Sequence, residues 1–259
     1  MSNIQFVKIK ELCSYNNVKK EVQSLLNDDD QVSFLPMADL EEFGYYSLPK
    51  QDRALFEVYK SYTYFKENDL LIAKITPCFE NGKMGIAKNL TNMVGFGSSE
   101  YHVLTPNKKI SVEYLYYFFC QGFIRERGIK HMTGAVGHKR IPIDFLVNQK
   151  IPLLTYEKQI LLVSKLDQAF EAIDQAIANT EKNIENVEDL EKSYLNSMFN
   201  STETVTNCKL GEIIEFVNGF AFKSSEKVES SDTQLIRMTN LYMNEFNLNR
   251  NPVFYPNHF

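Results

Sequence analysis

No glycine or proline occurs between Thr155 and Asn200, and no other feature of this chain limits its fold as strongly. Apolar or tolerated core positions recur there at Val163, Leu166, Phe170, Ile173, Ile177, Thr180, Ile184, Val187, Tyr194 and Met198. The steps alternate three and four, the a/d spacing of a coiled-coil seam. Glu191 breaks the seam beside Leu190, so the register slips there. A helix of about 45 residues, rising about 1.5 Å at each, is a rod of roughly 65 Å. So narrow a stripe calls for a second helix, from this chain or another. The alternative is an amphipathic helix lying along its own domain.

The rod separates two copies of one pattern. Before it stand Lys8-Ile9-Lys10-Glu11-Leu12 and Phe34-Leu35-Pro36-Met37-Ala38-Asp39-Leu40. After it stand Lys209-Leu210-Gly211-Glu212-Ile213 and Leu235-Ile236-Arg237-Met238-Thr239-Asn240-Leu241. Glu11 to Glu212 and Met37 to Met238 are the same step of 201 residues (212 − 11, 238 − 37). A shared offset across two strand-like segments points to a repeated structural unit. Two recognition units on a helical spacer measure something with two ends. The second copy holds only about 50 residues against about 145 in the first, too few for a complete domain of the same kind, so the repeat is expected to be cut short. The expected fold is α+β: a mixed domain over 1–154, a long spacer helix over 155–200 and the start of a second domain over 201–259.

Within the first domain, Asp69-Leu70-Leu71-Ile72-Ala73-Lys74-Ile75 reads as a buried strand. Gly85-Ile86-Ala87 and Tyr101-His102-Val103-Leu104 read as two more, with Asn81-Gly82 among the turn residues. Val112 to Gly122 reads as a helix whose Tyr114, Leu115, Tyr117, Phe118 and Phe119 form core rather than a base-stacking platform. Ile151-Pro152-Leu153 closes the domain.

Charge is unevenly spread. Residues 1–154 carry 19 Lys/Arg and 17 Asp/Glu, residues 155–200 carry 4 and 9, and residues 201–259 carry 5 and 7. The net charge of −5 therefore sits mainly in the rod. A net acidic chain argues against a nucleic-acid partner, but the first domain is mildly basic and its charge is clustered. Ile124-Arg125-Glu126-Arg127-Gly128-Ile129-Lys130-His131-Met132-Thr133-Gly134-Ala135-Val136-Gly137-His138-Lys139-Arg140-Ile141 holds five Lys/Arg, two His, one acid and three glycines that let a backbone approach a partner. Cations, a hydroxyl and free amides suit phosphate oxygens, and Arg and Lys also reach guanine edges. A solvated basic face is the alternative. Thr76-Pro77-Cys78-Phe79-Glu80-Asn81-Gly82-Lys83 is either a base-reading loop or an ordinary hairpin turn.

Catalytic signatures fail when tested. Gly82-Lys83 is followed by Met84 and position 77 is Pro, so there is no phosphate loop. Asn251-Pro252-Val253-Phe254 lacks the second proline of an amino-methyltransferase motif and reads as a turn into a strand. The four histidines have no metal-ligand spacing, and no nucleophile elbow is present. Neither a metal nor a cofactor is expected. Cys13, Cys78, Cys120 and Cys208 lie far apart and are expected to be reduced, mostly buried thiols. The apolar and charged fractions, 44% and 24%, are those of a soluble globular protein. No apolar run reaches the roughly 18 residues that span a bilayer, and Met1-Ser2-Asn3-Ile4-Gln5 does not open a signal peptide. A cytoplasmic protein, with no membrane association, is expected.

One set of motifs runs in order through the end of the first domain: Thr133-Gly134, His138-Lys139-Arg140-Ile141-Pro142, Phe145-Leu146, Ile151-Pro152-Leu153-Leu154, Glu157-Lys158-Gln159-Ile160 and Lys165-Leu166-Asp167. In this order the chain resembles the specificity subunits of type I restriction–modification enzymes, with their Thr-Gly turn, basic pair, Ile-Pro-Leu-Pro strand, Glu-x-Gln helix start and Leu-Asp on the long helix. Leu154 replaces the second proline. Leu210-Gly211-Glu212-Ile213 and Asn218-Gly219-Phe220-Ala221-Phe222-Lys223 are similar to the opening of a second target-recognition domain in that family.

The resemblance implies a non-catalytic subunit whose recognition domain reads half of a split double-stranded DNA sequence. Its long helix would set the spacing and dock methyltransferase subunits, which carry the cofactor and chemistry, and a restriction subunit would join them. The candidate DNA contacts are Arg125, Arg127, Lys130, Thr133, Gly134, His138, Lys139 and Arg140, with Lys74, Asn81 and Lys83. The candidate helix-pairing residues are Leu166, Phe170, Ile173, Ile177, Ile184 and Val187, through which two copies would pair antiparallel as a homodimer. Alternatively, another chain supplies the second half. The competing classes are a coiled-coil adaptor without DNA binding, and a stand-alone nuclease or methyltransferase.

Overall fold

The computed structural model describes residues 4–15, 18–135, 137–200, 208–242 and 245–258. Residues 201–207, at the start of the expected second domain, lie outside the described residues. The chain divides into two compact units, 1–184 and 185–259.

The first unit contains strands β1 (Gln5–Lys8), β2 (Cys13–Ser14), β3 (Gln31–Leu35), β4 (Tyr46–Ser47), β5 (Gln51–Ala54), β6 (Thr63–Lys66), β7 (Leu70–Ala73), β8 (Met84–Ala87), β9 (Val94–Gly97), β10 (Tyr101–Pro106) and β11 (Lys150–Leu153). Its helices are α1 (Lys20–Gln23), α2 (Leu55–Val58), α3 (Val112–Phe119), α4 (Gly122–Ile129), α5 (Ile143–Val147) and the start of α6 (Tyr156–Asn200). One sheet runs β2-β10-β7-β8-β4, a second runs β5-β3-β9-β6, and β1 pairs antiparallel with β11. The three expected strands are β7, β8 and β10, and the expected aromatic helix is α3.

The unbroken apolar run of β7 follows from its central position. Leu70 and Ile72 face one buried cluster with Leu104, Leu115 and Ile151, while Leu71 and Ala73 face another with Leu35 and Phe65. A strand covered on both faces has no polar side to alternate. Ser111 caps α3, its Oγ accepting from the Tyr114 N–H at 3.1 Å. Tyr114, Leu115, Phe118 and Phe119 are buried as expected; Tyr116 is buried as well, whereas Tyr117, expected in the core, is only half-buried because it faces α6.

The repeated segments depart from the strand-like expectation, and in the same way in both units. Ile9–Glu11 and Leu210–Ile213 are each a single helical turn, entered by a lysine with φ/ψ of −72°/143° in one case and −73°/140° in the other. Ile9 and Leu12 are both buried; only a helical turn brings residues three apart onto one face. In the second pair, the Asp39 N–H donates to Pro36 O at 3.0 Å and the Asn240 N–H donates to Arg237 O at 2.8 Å. Donors and acceptors again differ by 201 (240 − 39, 237 − 36). Pro36 has no N–H with which to continue a ladder, so β3 gives way to a turn there.

In the second unit Thr233–Gln234 pairs with Phe254–Tyr255, and Leu241–Tyr242 with Glu245–Phe246. Tyr255 is its buried centre, with the Phe222 ring 4.6 Å away. Asn251, at φ +52°, turns the chain into that last strand, as expected for Asn251-Pro252-Val253-Phe254. Phe216, Val217, Phe220 and Met238 remain exposed. The cysteines correct an expectation: all four are free, but only Cys13 is buried, Cys78 and Cys120 are half-buried and Cys208 is exposed.

Candidate nucleic-acid interface

The basic segment is built around a hairpin. Thr133 and Arg140 exchange backbone hydrogen bonds at 3.0 and 2.8 Å, and the His138 N–H closes on Ala135 O at 2.9 Å. Gly134 and Gly137 hold φ of +122° and +80°, the left-handed region that a side chain rarely adopts. The hairpin extends the β7 line: the Thr76 N–H donates to Lys139 O at 2.9 Å and the Ile141 N–H to Lys74 O at 2.8 Å. On the other side of that line, the Lys74 N–H donates to Glu100 O at 2.9 Å and its Nζ to Ser99 O at 2.7 Å. Lys74, Thr133, Gly134, His138, Lys139 and Arg140 are thereby gathered on adjoining extended segments.

Their charges are not equally available. Arg140 makes a two-pronged pair with Glu100, Nε to Oε2 at 2.9 Å and Nη2 to Oε1 at 2.8 Å. This hydrogen bonding holds the Glu100 carboxyl below its usual pKa. Sequence reasoning missed Glu100, which lies 40 residues away in the chain. Lys139 is exposed and its ammonium has no partner among the described residues.

The remaining candidates are engaged elsewhere. Asn81 Nδ2 donates to Glu42 Oε1 at 2.8 Å and Lys83 Nζ to Met37 O at 3.2 Å. The loop that carries them joins antiparallel neighbours β7 and β8, but it coils through Phe79 N–H to Ile75 O and Asn81 N–H to Pro77 O rather than forming a two-residue Asn-Gly turn. Arg125 is half-buried with its guanidinium 4.8 Å from the centre of the Phe43 ring. Arg127 lies in α4 and, with His131 and Lys150, lines a groove of about 630 Å³, while Lys130 is exposed at the end of the helix. Gly128 corrects the expectation for the glycines: it serves packing, since a Cβ there would sit 2.6 Å from Phe79 Cζ. Gly128→Ala is expected to cost about 1–3 kcal/mol by overpacking, read as a lower melting temperature.

The root of α6 is fastened by motif residues. Gln159 is wholly buried; its Nε2 donates to Lys109 O and Leu154 O, both at 2.9 Å, and its Oε1 accepts from the Ser111 N–H at 2.9 Å. Gln159→Leu strands all three groups and is expected to cost about 2–3 kcal/mol. A thermal melt would show this as a fall of roughly 5–10 °C. Tyr117 donates to Asp167 Oδ1 at 2.6 Å and stacks on Phe170 at 5.7 Å. A groove of about 860 Å³ opens beside this contact, with Tyr45, Tyr116, Asp167, Glu171 and Asp174 on its walls. The acids at 167, 171 and 174 have helical spacing, a signal legible in the sequence but not used. From residue 171 to 199 every described side chain of α6 is exposed, including Ile173, Ile177, Ile184 and Val187. Only the root of the helix therefore lies on its own domain; Leu166 is half-buried there.

Among the described residues no group of three or more His, Cys, Asp or Glu could hold a metal ion, and no helix is long and apolar enough to cross a membrane.

Comparison with known proteins gives a consistent result. The type I restriction modification DNA specificity domain matches residues 1–187. The specificity subunits of the Escherichia coli type I restriction enzymes EcoAI and EcoEI are 35% identical over 150 residues and 31% identical over 172 residues. Those stretches are 58% and 66% of this chain but 26% and 28% of the relatives, so the match spans about a quarter of each relative's length. The crystal structure of the HsdS subunit from Thermoanaerobacter tengcongensis shares the fold, with a TM-score of 0.66 at 14% identity over 90% of this chain and 60% of that one. A chain from work on complex assembly and conformational transition of the type I R-M system gives a TM-score of 0.53 at 16% identity, over 76% of this chain and 46% of that one. With a family match across 1–187 and the repeat continuing beyond α6, the chain belongs to the type I restriction–modification DNA specificity family.

Proposed function

We propose that this chain reads one half of a bipartite duplex DNA sequence and docks methyltransferase subunits through α6. The observation that carries the reading is the segregation of charge within the first unit. The hairpin beside Lys74 presents Lys139, exposed and unpaired among the described residues, with Arg140 neutralising Glu100, whereas the helix root presents Asp167, Glu171 and Asp174. Phosphate attracts the first and repels the second, so DNA belongs on the hairpin and a protein partner on the rod. In this reading residues 1–154 are the recognition domain, 155–200 the spacer and 201–259 part of a second recognition domain. The chain is non-catalytic and needs no cofactor of its own; methylation belongs to the docked subunits, and a restriction subunit adds cleavage, in the cytoplasm. The uncovered seam at Ile173, Ile177, Ile184 and Val187 supports pairing of two copies through their helices.

The test is adenine methylation, mapped genome-wide, in cells that co-express the chain with its cognate methyltransferase subunit. A split, palindromic methylated sequence is the expected result for two paired copies. A split, asymmetric one means that another chain reads the second half. The acidic, exposed rod would also suit an adaptor without DNA binding; absence of both methylation and duplex binding, with partners present, would establish that reading instead.

A further inference from the structure

The hairpin explains how DNA could be held but not how a sequence could be told from others. Phosphate contacts fix position; base edges carry the information. A second feature lies next to it. A polar cleft of about 380 Å³ opens where β6 of one sheet meets β10 of the other, lined by Tyr15, Lys19, Ser61, Tyr62, Thr63 and Ser99. It is continuous with the hairpin through three contacts. Ser99 O accepts from Lys74 Nζ, neighbouring Glu100 holds Arg140, and His102 Nε2, on the cleft wall, lies 2.8 Å from Ile141 O.

We propose that this cleft takes base edges of duplex DNA and sets which half-site sequence is read. The proposal rests on the DNA-reading function above. The hydroxyls of Tyr15, Ser61, Tyr62 and Thr63 make no hydrogen bond within the described residues, although Tyr15, Tyr62 and Thr63 are half-buried. A half-buried polar group without a partner is costly unless solvent or a ligand satisfies it. Each hydroxyl both donates and accepts. Phosphate oxygens only accept, so a phosphate site would need donors alone. Major-groove base edges present donors and acceptors in patterns that differ between base pairs, which a mixed set of hydroxyls can match. Lys19 adds a donor suited to guanine: its Nζ lies 3.2 Å from Tyr59 O, with protons to spare. Among the described residues no Asp or Glu lines the cleft, unlike the groove at the helix root. On the cleft wall, burial lowers the His102 pKa, opposed in part by the ring's hydrogen bond with Ile141 O.

The experiment uses the full chain with its cognate methyltransferase subunit. The duplex probe carries the sequence found methylated genome-wide, and mismatched duplexes carry single base-pair changes. Ser61→Ala, Tyr62→Phe and Thr63→Val are combined, which removes hydroxyls and keeps shape; Lys19→Gln is a second variant. The expected result is a loss of roughly tenfold or more in discrimination against at least one mismatch, with a broadened methylated sequence and an unchanged salt slope. An unaltered methylated sequence in both variants, with melting temperatures like the parent's, would overturn the proposal. So would a uniform loss of affinity on all duplexes with a shallower salt slope, which would make the cleft a phosphate contact. If the unaltered protein binds no duplex at all, the DNA-reading function itself fails, and that outcome is distinct from the other two.

Discussion

Lys139→Ala combined with Arg140→Ala lowers affinity for duplex DNA by roughly ten- to a hundredfold near physiological salt and makes the salt slope shallower by about 1, close to 0.9 for the phosphate that the unpaired Lys139 no longer neutralises. Both side chains are exposed on the hairpin, and the backbone bonds that hold Arg140 to Thr133 do not involve its side chain. The fold should therefore survive, and the melting temperature serves as the control. Arg140 has a second role, because it neutralises Glu100. Removing it leaves a carboxylate where the DNA backbone is expected. Glu100→Gln, added to Arg140→Ala, should recover part of the lost affinity. Fluorescence anisotropy over a salt series measures both variants, with Arg140→Ala alone as the reference for the second. Affinity equal to the parent's in the double alanine variant would remove the hairpin from the interface.

Ile173→Asp with Ile177→Asp abolishes pairing of the rods. Ile173 is 52% exposed and Ile177 53% exposed, so the single chain gains little from them. Burial at a helix pair stabilises by about 1.5–3 kcal/mol for each isoleucine, and a symmetric pair contains four. The association constant should fall by at least about three orders of magnitude, with desolvation of the new carboxylates adding to the loss. Sedimentation at micromolar concentration should give a dimer for the parent and a monomer for the variant, with unchanged melting of the first unit. A monomeric parent would mean that the seam is covered by another chain. The same variant should then fail to retain the methyltransferase subunit.

How much of this was legible beforehand varied with the range of the interaction. The rod was, because the absence of Gly and Pro and the three-four spacing are local properties of residues 155–200. The repeat was legible as an offset but not as a conformation. Ile9–Glu11 and Leu210–Ile213 were read as strand-like; the buried pair Ile9 and Leu12 accounts for the turn in the first copy, while the equivalent Leu210 and Ile213 are exposed. Strand β7 was legible from its apolar run. For loop 76–83 both readings use the same Asn-Gly, and bonds from Phe79 and Asn81 back to residues 75 and 77 exclude the two-residue turn. In the basic segment, sequence supplied the cations but could not say which were free.

Composition and periodicity by themselves determined an α+β chain with a long helix between two related units, and the ordered motifs from Thr133 to Asp167 placed it beside a known family. These are short-range facts, encoded in residue types and their spacing. Only the tertiary structure decided that Glu100 pairs with Arg140, that Gln159 ties the helix root to Lys109 and Ser111, that Gly128 makes room for Phe79, and that Lys74 joins the hairpin to the hydroxyl-lined cleft. Each of these links residues distant in sequence. A side chain's freedom to meet a partner depends on what else lies within about 3 Å of it, and spacing along a chain does not specify that.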